Sequence, residues 1–173
     1  MKKICAIRFF LRIFVNRFTN TTMTEQFVIQ SDIALLPSVE ERLFHFCHLC
    51  HVGNYYSAVS VATLQAVENA IVHGNGSDST KNVSLTFDTS RGGISVEVSD
   101  EGRGFDFHQY GGLPSGESNQ GEGIFVMKSL ADRLTFSEGG RKVKLEFDVA
   151  GIDPSDALER IATLRASFTP VLV

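Results

Sequence analysis

The chain has 173 residues, 43% of them hydrophobic and 21% charged. That is enough for one domain with a sizeable core and too apolar for a disordered chain. The net charge of -4 is unevenly spread: Lys2, Lys3, Arg8, Arg12 and Arg17 stand in residues 1–22 with no acid, so the remainder carries 11 basic against 20 acidic residues, a net -9. Such an acidic body argues against a nucleic-acid binder, which needs a basic face for phosphate.

The start of the chain fits no targeting class. Ile4 to Val15 is apolar but broken by Arg8 and Arg12, too short and too interrupted to span a bilayer. Phe18-Thr19-Asn20 offers no small-residue cleavage site. Residues 1–22 therefore read as a basic N-terminal extension, either not translated, with initiation at Met23, or disordered; an interfacial anchor helix is the alternative. Residues 23–173 read as a single domain. The three cysteines, Cys5, Cys47 and Cys50, suit a reducing, cytoplasmic compartment rather than a disulfide scaffold.

Phe27 to Gln30 reads as a first strand. Pro37-Ser38 then opens a helix over about 38–52, with Val39, Leu43, Phe46 and Cys50 as its core stripe. After Gly53-Asn54, a second helix runs from about Ser57 to His73 and stops at Gly74, a C-terminal glycine. Leu64, Val67, Ala70 and Ile71 form its core face, and Gln65 and Asn69, four apart, share another face. Val83, Leu85 and Phe87, then Ile94, Val96 and Val98, alternate with polar residues around Arg91-Gly92-Gly93, as in a β-hairpin with one buried face. A Gly- and Ser-rich loop follows over 111–121. The stretch from Gly123 to Leu134 reads as a helix with Ile124, Met127, Leu130 and Ala131 inward. Strands at Leu134–Ser137 and Val143–Val149 flank Gly139-Gly140. Asp153-Pro154-Ser155-Asp156 starts a terminal helix to about Ser167, with Ala157, Ile161 and Leu164 at helical spacing, followed by an apolar tail. The order predicts an α+β fold, with helices on one face of a mainly antiparallel sheet.

Three pieces stand in the order that a nucleotide site needs. The amide oxygen of Asn69 is a hard, neutral ligand suited to magnesium held between phosphates. Asp100 ends a strand, where a carboxylate can accept a hydrogen bond from an exocyclic amine; Gly102 and Gly104 follow it and permit close backbone approach. Gly121-Glu122-Gly123 opens a helix, whose free amides favour phosphate.

Together these segments resemble the GHKL ATPase superfamily with its Bergerat-type, two-layer nucleotide fold. Within it the chain looks most like the bacterial anti-sigma-factor serine/threonine protein kinases, which carry a histidine-kinase-like ATPase domain. The resemblance spans Phe27 to Phe147 and rests mainly on residues 66–74, 100–105 and 121–132. It implies that Asn69 binds magnesium and that Asp100 reads the adenine amine. It further implies that Gly102 and Gly104 shape the pocket, and that Gly121 and Gly123 bring amides to the phosphates. Residues 106–120 would form a lid over ATP. The implied partners are ATP and a sigma factor and/or a small anti-anti-sigma antagonist, with the chain as a homodimer that needs neither nucleic acid nor a membrane span.

The chain departs from that family four residues before Asn69. The family there has a Glu, taken to activate the attacking hydroxyl or water; here stands Gln65. An amide can orient a nucleophile but cannot take its proton at neutral pH. Glu68, three residues on, is predicted to lie on the far side of Gln65 from Asn69. The implied kinase thus has a binding module without catalysis as its alternative. His45, Cys47, His48, Cys50 and His51 look like metal ligands, but a structural zinc site usually draws a second ligand pair from elsewhere, and the sequence offers none.

Overall fold

In a computed structural model, residues 23–50, 52–90, 93–107 and 121–149 are described, Ser90 by its backbone alone. Residues 1–22, His51, residues 91–92, residues 108–120 of the expected lid, and the expected terminal helix and tail at 150–173 lie outside the described residues.

The order is β1 (Thr24–Gln30), α1 (Leu36–Leu49), α2 (Tyr56–Asn69), β2 (Asn82–Ser90), β3 (Gly93–Asp100), α3 (Glu122–Leu130), β4 (Arg133–Ser137) and β5 (Lys142–Asp148). The strands form one antiparallel sheet in the order β1-β2-β3-β5-β4. Its register explains the layers. Phe27 stands opposite Leu85, Leu85 opposite Val98, Val96 opposite Leu145, and Leu145 opposite Leu134. One face of the sheet is thereby apolar from edge to edge, and the helices cover it. The fold is the expected α+β two-layer sandwich. Among the described residues, no helix is long and apolar enough to cross a membrane.

The differences from the sequence expectation are local. β1 starts at Thr24, because its whole length pairs with β2 and the Thr24 hydroxyl donates to Asp88 at 2.7 Å. α1 is shifted toward the N-terminus, with Pro37 in its first turn. Cys47 takes the core position expected for Cys50, which is only half-buried. Leu64 likewise lies at the margin of the core, while Val59, Ala62 and Ala66 share its centre with Val67. α3 stops at Leu130 rather than Leu134. Ala131 is already extended, and the Asp132 amide donates to the Glu146 carbonyl at 2.9 Å. Ala131 stays buried across this switch, which is why an apolar period cannot mark it.

α2 does not end in a left-handed glycine. It runs into one wide turn, Ala70–Gly74, closed by the Asn75 amide on the Ala70 carbonyl at 2.8 Å. That is the five-residue spacing of a π-turn, a feature frequent at functional sites. Asn75 itself is buried. Its Nδ2 donates to Ser31 Oγ at 2.7 Å and to the Asn82 carbonyl at 2.9 Å, and its Oδ1 accepts from the Glu101 amide at 2.8 Å. One side chain thus ties the end of α2 to the ends of three strands. Asn75→Ala is expected to lower unfolding free energy by about 2–3 kcal/mol, since it strands buried polar groups. A loss below about 0.5 kcal/mol in urea denaturation would show that these bonds do not hold the junction.

Candidate nucleotide-binding site

The residues that end α2, β3 and the loop before α3 converge on an open cleft of about 410 Å³. That volume is in the range of small-molecule and cofactor sites. α2 and its π-turn supply Ala66, Asn69, Ala70, His73 and Gly74. β3 and the loop after it supply Val98, Asp100, Gly104 and Phe105. The start of α3 supplies Gly121, Gly123, Ile124 and Met127. Phe136, Gly140, Arg141 and Val143 close the far side.

Of the seven site residues that the sequence singles out, Asn69, Asp100, Gly104, Gly121 and Gly123 line this cleft. Gly102 and Gln65 do not line it but buttress residues that do. The Gly102 amide donates to Asp100 Oδ1 at 2.8 Å and so fixes the carboxylate. A Cβ on Gly102 would run into the Gly74 carbonyl, and one on Gly74 would run into the Asp100 carboxyl. Gly74 therefore serves as the floor on which Asp100 rests, a role that its place at a helix end does not disclose. A Cβ on Gly123 would lie 2.8 Å from Asn69 Nδ2 and 2.9 Å from Gln65 Nε2. The first turn of α3 is thus seated directly on the two amides of α2.

Asp100 is half-buried. Burial pushes its carboxyl up from the ordinary value, opposed by the Gly102 amide and by the charges of Arg141 and Lys81. The other end of the cleft is the start of α3. Gly121 precedes it with φ 93° and no capping side chain, and its carbonyl accepts the Phe125 amide at 2.9 Å. Helix amides before Phe125 have no earlier carbonyl of their own helix, an arrangement that favours an anion. Asn69 faces the cleft between these ends. One neutral amide oxygen suits a cation that shares its shell with a ligand's phosphates, not an all-protein cage. No group of three His, Cys, Asp or Glu side chains that could hold a metal exists among the described residues. The apolar floor, with Val98, Ile124, Met127 and Val143 buried, offers a slot for a flat ring.

Gln65 Nε2 reaches Glu68 Oε2 at 3.4 Å, a long contact that turns the Gln65 amide toward that carboxylate. Glu68 does not line the cleft, whereas Asn69 does. At the other end, Phe107 stacks on Phe136 at 5.1 Å and Phe105 meets Phe136 edge-on at 5.5 Å. The Phe105 amide donates to the Gly139 carbonyl at 2.9 Å. The turn at Glu138–Gly140 therefore belongs to the wall, though its sequence marks only a link between strands. Arg103 is exposed and outside the cleft lining.

The cysteines of α1 lie apart from the cleft. Burial pushes the Cys47 thiol up to about 12, with the neighbouring Cys50 adding to the shift. Burial thus favours the neutral, packed thiol at this position. Cys50 contacts Met23 sulfur at 3.7 Å.

The close packing of Gly74 makes a stability prediction. Gly74→Ala should cost about 1–3 kcal/mol by overpacking against Asp100. Gly53→Ala, whose Cβ would meet nothing nearer than His48 at 3.9 Å, should be neutral or slightly stabilising. Equal thermal unfolding of the two variants would show that Gly74 leaves room for a side chain.

Comparison with protein-family models matches residues 52–147, more than half of the chain, to the histidine kinase-like ATPase domain. Comparison with curated proteins gives no match. The matched span contains both the α2–π-turn segment and the glycine loop before α3, and it ends on Phe147 of β5. The chain belongs to the histidine kinase-like ATPase domain family, an ATP-binding module.

Proposed function

We propose that the chain is an ATP-binding regulator of the anti-sigma-factor serine/threonine kinase kind, which binds ATP with magnesium and phosphorylates a small antagonist protein on serine. The carrying observation is that Asn69, Asp100, Gly121 and Gly123, spread over more than fifty residues of chain, line one cleft. In this reading Asp100 accepts the adenine amine while Gly102 holds its other oxygen in place. Gly104 lets the loop pass close to the base. The α3 amides take the phosphates, and Gly121 and Gly123 keep their approach open. Asn69 holds magnesium, which when bound neutralises phosphate charge during transfer. A sigma factor and a serine-bearing antagonist compete for the protein, a homodimer in the cytoplasm, with residues 106–120 as the lid that registers the nucleotide.

A second reading is favoured by Gln65. Its amide is seated against Gly123 and turned toward Glu68, and it cannot serve as a base. The protein is then a nucleotide sensor whose partner choice follows ATP or ADP without phosphotransfer. Incubation with labelled ATP, magnesium and a cognate antagonist separates the two. Phosphoserine supports the kinase; intact ATP binding with no phosphoserine leaves the sensor. Gln65→Glu should raise phosphotransfer by roughly 10²–10⁴-fold if the native chain lacks its base. An unchanged rate would point to positioning alone.

Binding should also depend on pH through Asp100. The amine bonds the ionised carboxylate, and burial raises the pKa of the free site above 3.8. Affinity for ATP is therefore present at neutral pH and is lost on acidification earlier than an ordinary Asp would lose it. Asp100→Asn should bind about 10–100-fold more weakly at pH 7 and lack this component of the profile. Parallel profiles for the two proteins, measured by titration calorimetry, would remove Asp100 from the base-reading role.

A further inference from the structure

β5 ends at Asp148, and Val149 is the last of the described residues. The Tyr55 hydroxyl donates to the Val149 carbonyl at 3.3 Å, so the chain leaves the sheet beside the start of α2. Tyr55 is itself tied back to α1. Its amide donates to the Val52 carbonyl at 3.0 Å, and the Val52 amide donates to the Cys47 carbonyl at 2.9 Å. The exit therefore stands where α1 ends and α2 begins.

The residue after Tyr55 belongs to an aromatic patch. α1 spends Val39, Leu43, Phe46 and Cys47 on the core and leaves Phe44 on its other side. Phe44 meets Tyr56 edge-on at 5.3 Å and lies against the exposed His48 at 4.6 Å, yet it is 42% exposed. The patch has an acidic rim. The Tyr56 hydroxyl donates to Glu40 Oε1 at 3.3 Å, and Glu40 and Glu41 are both exposed.

The sequence after Val149 has the complementary pattern. Over the expected terminal helix, Ala157, Ile161 and Leu164 fall within about 60° of arc, and Phe168 continues the same line. Arg160 and Arg165 flank this stripe, one on each side, while Glu159 falls on the far side.

We propose that residues 157–168 dock as a helix on the exposed face of α1 and α2, with the apolar stripe over Phe44 and Tyr56 and the arginines beside Glu40 and Glu41. The reach suffices. The seven residues 150–156 can span up to about 23 Å. The patch begins one residue from the anchoring Tyr55, and Phe44 lies only about 9 Å of helix before Cys50. Attachment also favours this occupant over a free partner. A short connection holds the segment at roughly millimolar effective concentration, so a modest apolar contact is enough. Exposed Arg–Glu pairs add little strength, but like charges in their place would oppose the contact.

Hydrogen–deuterium exchange of the full chain, read by mass spectrometry of its peptides, tests the docking. In the wild type, amides of residues 157–168 should exchange about tenfold or more slowly than those of an open chain. Phe44→Lys removes the ring at an exposed position and sets a like charge against the arginines. Ile161→Lys removes the centre of the stripe. Each should bring exchange over 157–168 to within about threefold of the open-chain rate, while peptides of β2 and β3 keep theirs. Radical footprinting gives the view from the other side: Phe44 and Tyr56 should react faster in Ile161→Lys than in the wild type. That readout leaves α1 and α2 unaltered, so it decides the matter even if Phe44→Lys fails to fold. Open-chain exchange of 157–168 in the wild type overturns the inference, as does protection that survives in a folded Phe44→Lys, or unchanged footprinting. Protection that falls on dilution gives the patch to a second copy, and protection of residues 1–22 that Phe44→Lys releases gives it to that segment; either result overturns the proposal.

Discussion

The contact on which the cleft depends is that of the Asp100 carboxylate with the backbone of Gly74. It joins the end of the second helix to the end of the third strand without any side chain between them. A carboxylate brought this close to a helix end loses water, and its partners must replace what it loses. The Gly102 amide does so directly, and Asn75 and Glu101 lock the two segments in register just beyond. The rest of the site is hung from this junction. Arg141 bonds the Asp100 amide, Gly104 packs on the same turn, and the first turn of α3 closes over Asn69.

How far the sequence disclosed this depended on the range of each contact. Asn69, Asp100, Gly121 and Gly123 carry local signals, namely helical spacing, a strand end and a glycine pair before a helix, and they meet in the cleft. Sheet and layers followed from alternation that really does face one core. Gly74, Asn75, Gly140 and Arg141 were missed as site residues because their reasons lie across the chain. Gly74 looks like any helix stop until Asp100, 26 residues on, is placed against it. Cys47 and Cys50 changed places because a stripe read at 100° per residue leaves its flank open by one position. The end of α3 was misplaced because burial continues through the change from helix to strand.

The site separates two capacities that a family resemblance tends to merge. Holding a nucleotide needs shape, backbone amides and one or two polar side chains, and the cleft has these. Moving a phosphoryl group asks in addition for a proton acceptor near the nucleophile, and the helix position next to Asn69 has an amide that is itself held by its neighbours. The two amides, Gln65 and Asn69, support the same glycine of α3. A change at position 65 therefore also acts on the seating of the first turn of α3. Stability and nucleotide affinity of any variant there need to be known before its rate is interpreted.

The π-turn at Ala70–Gly74 sets a constraint of length rather than composition. Its wide closure, from Asn75 back to Ala70, holds one residue more than an α-helical turn would. Loss of a single residue there would let the helix continue in α geometry and rotate everything after it by about 100°. Gly74 would turn away from Asp100, and Asn75 away from the three strands it joins. Substitutions within the turn change what faces the cleft, whereas a one-residue deletion dismantles the junction, so the number of residues between Asn69 and Asn75 is itself part of the site.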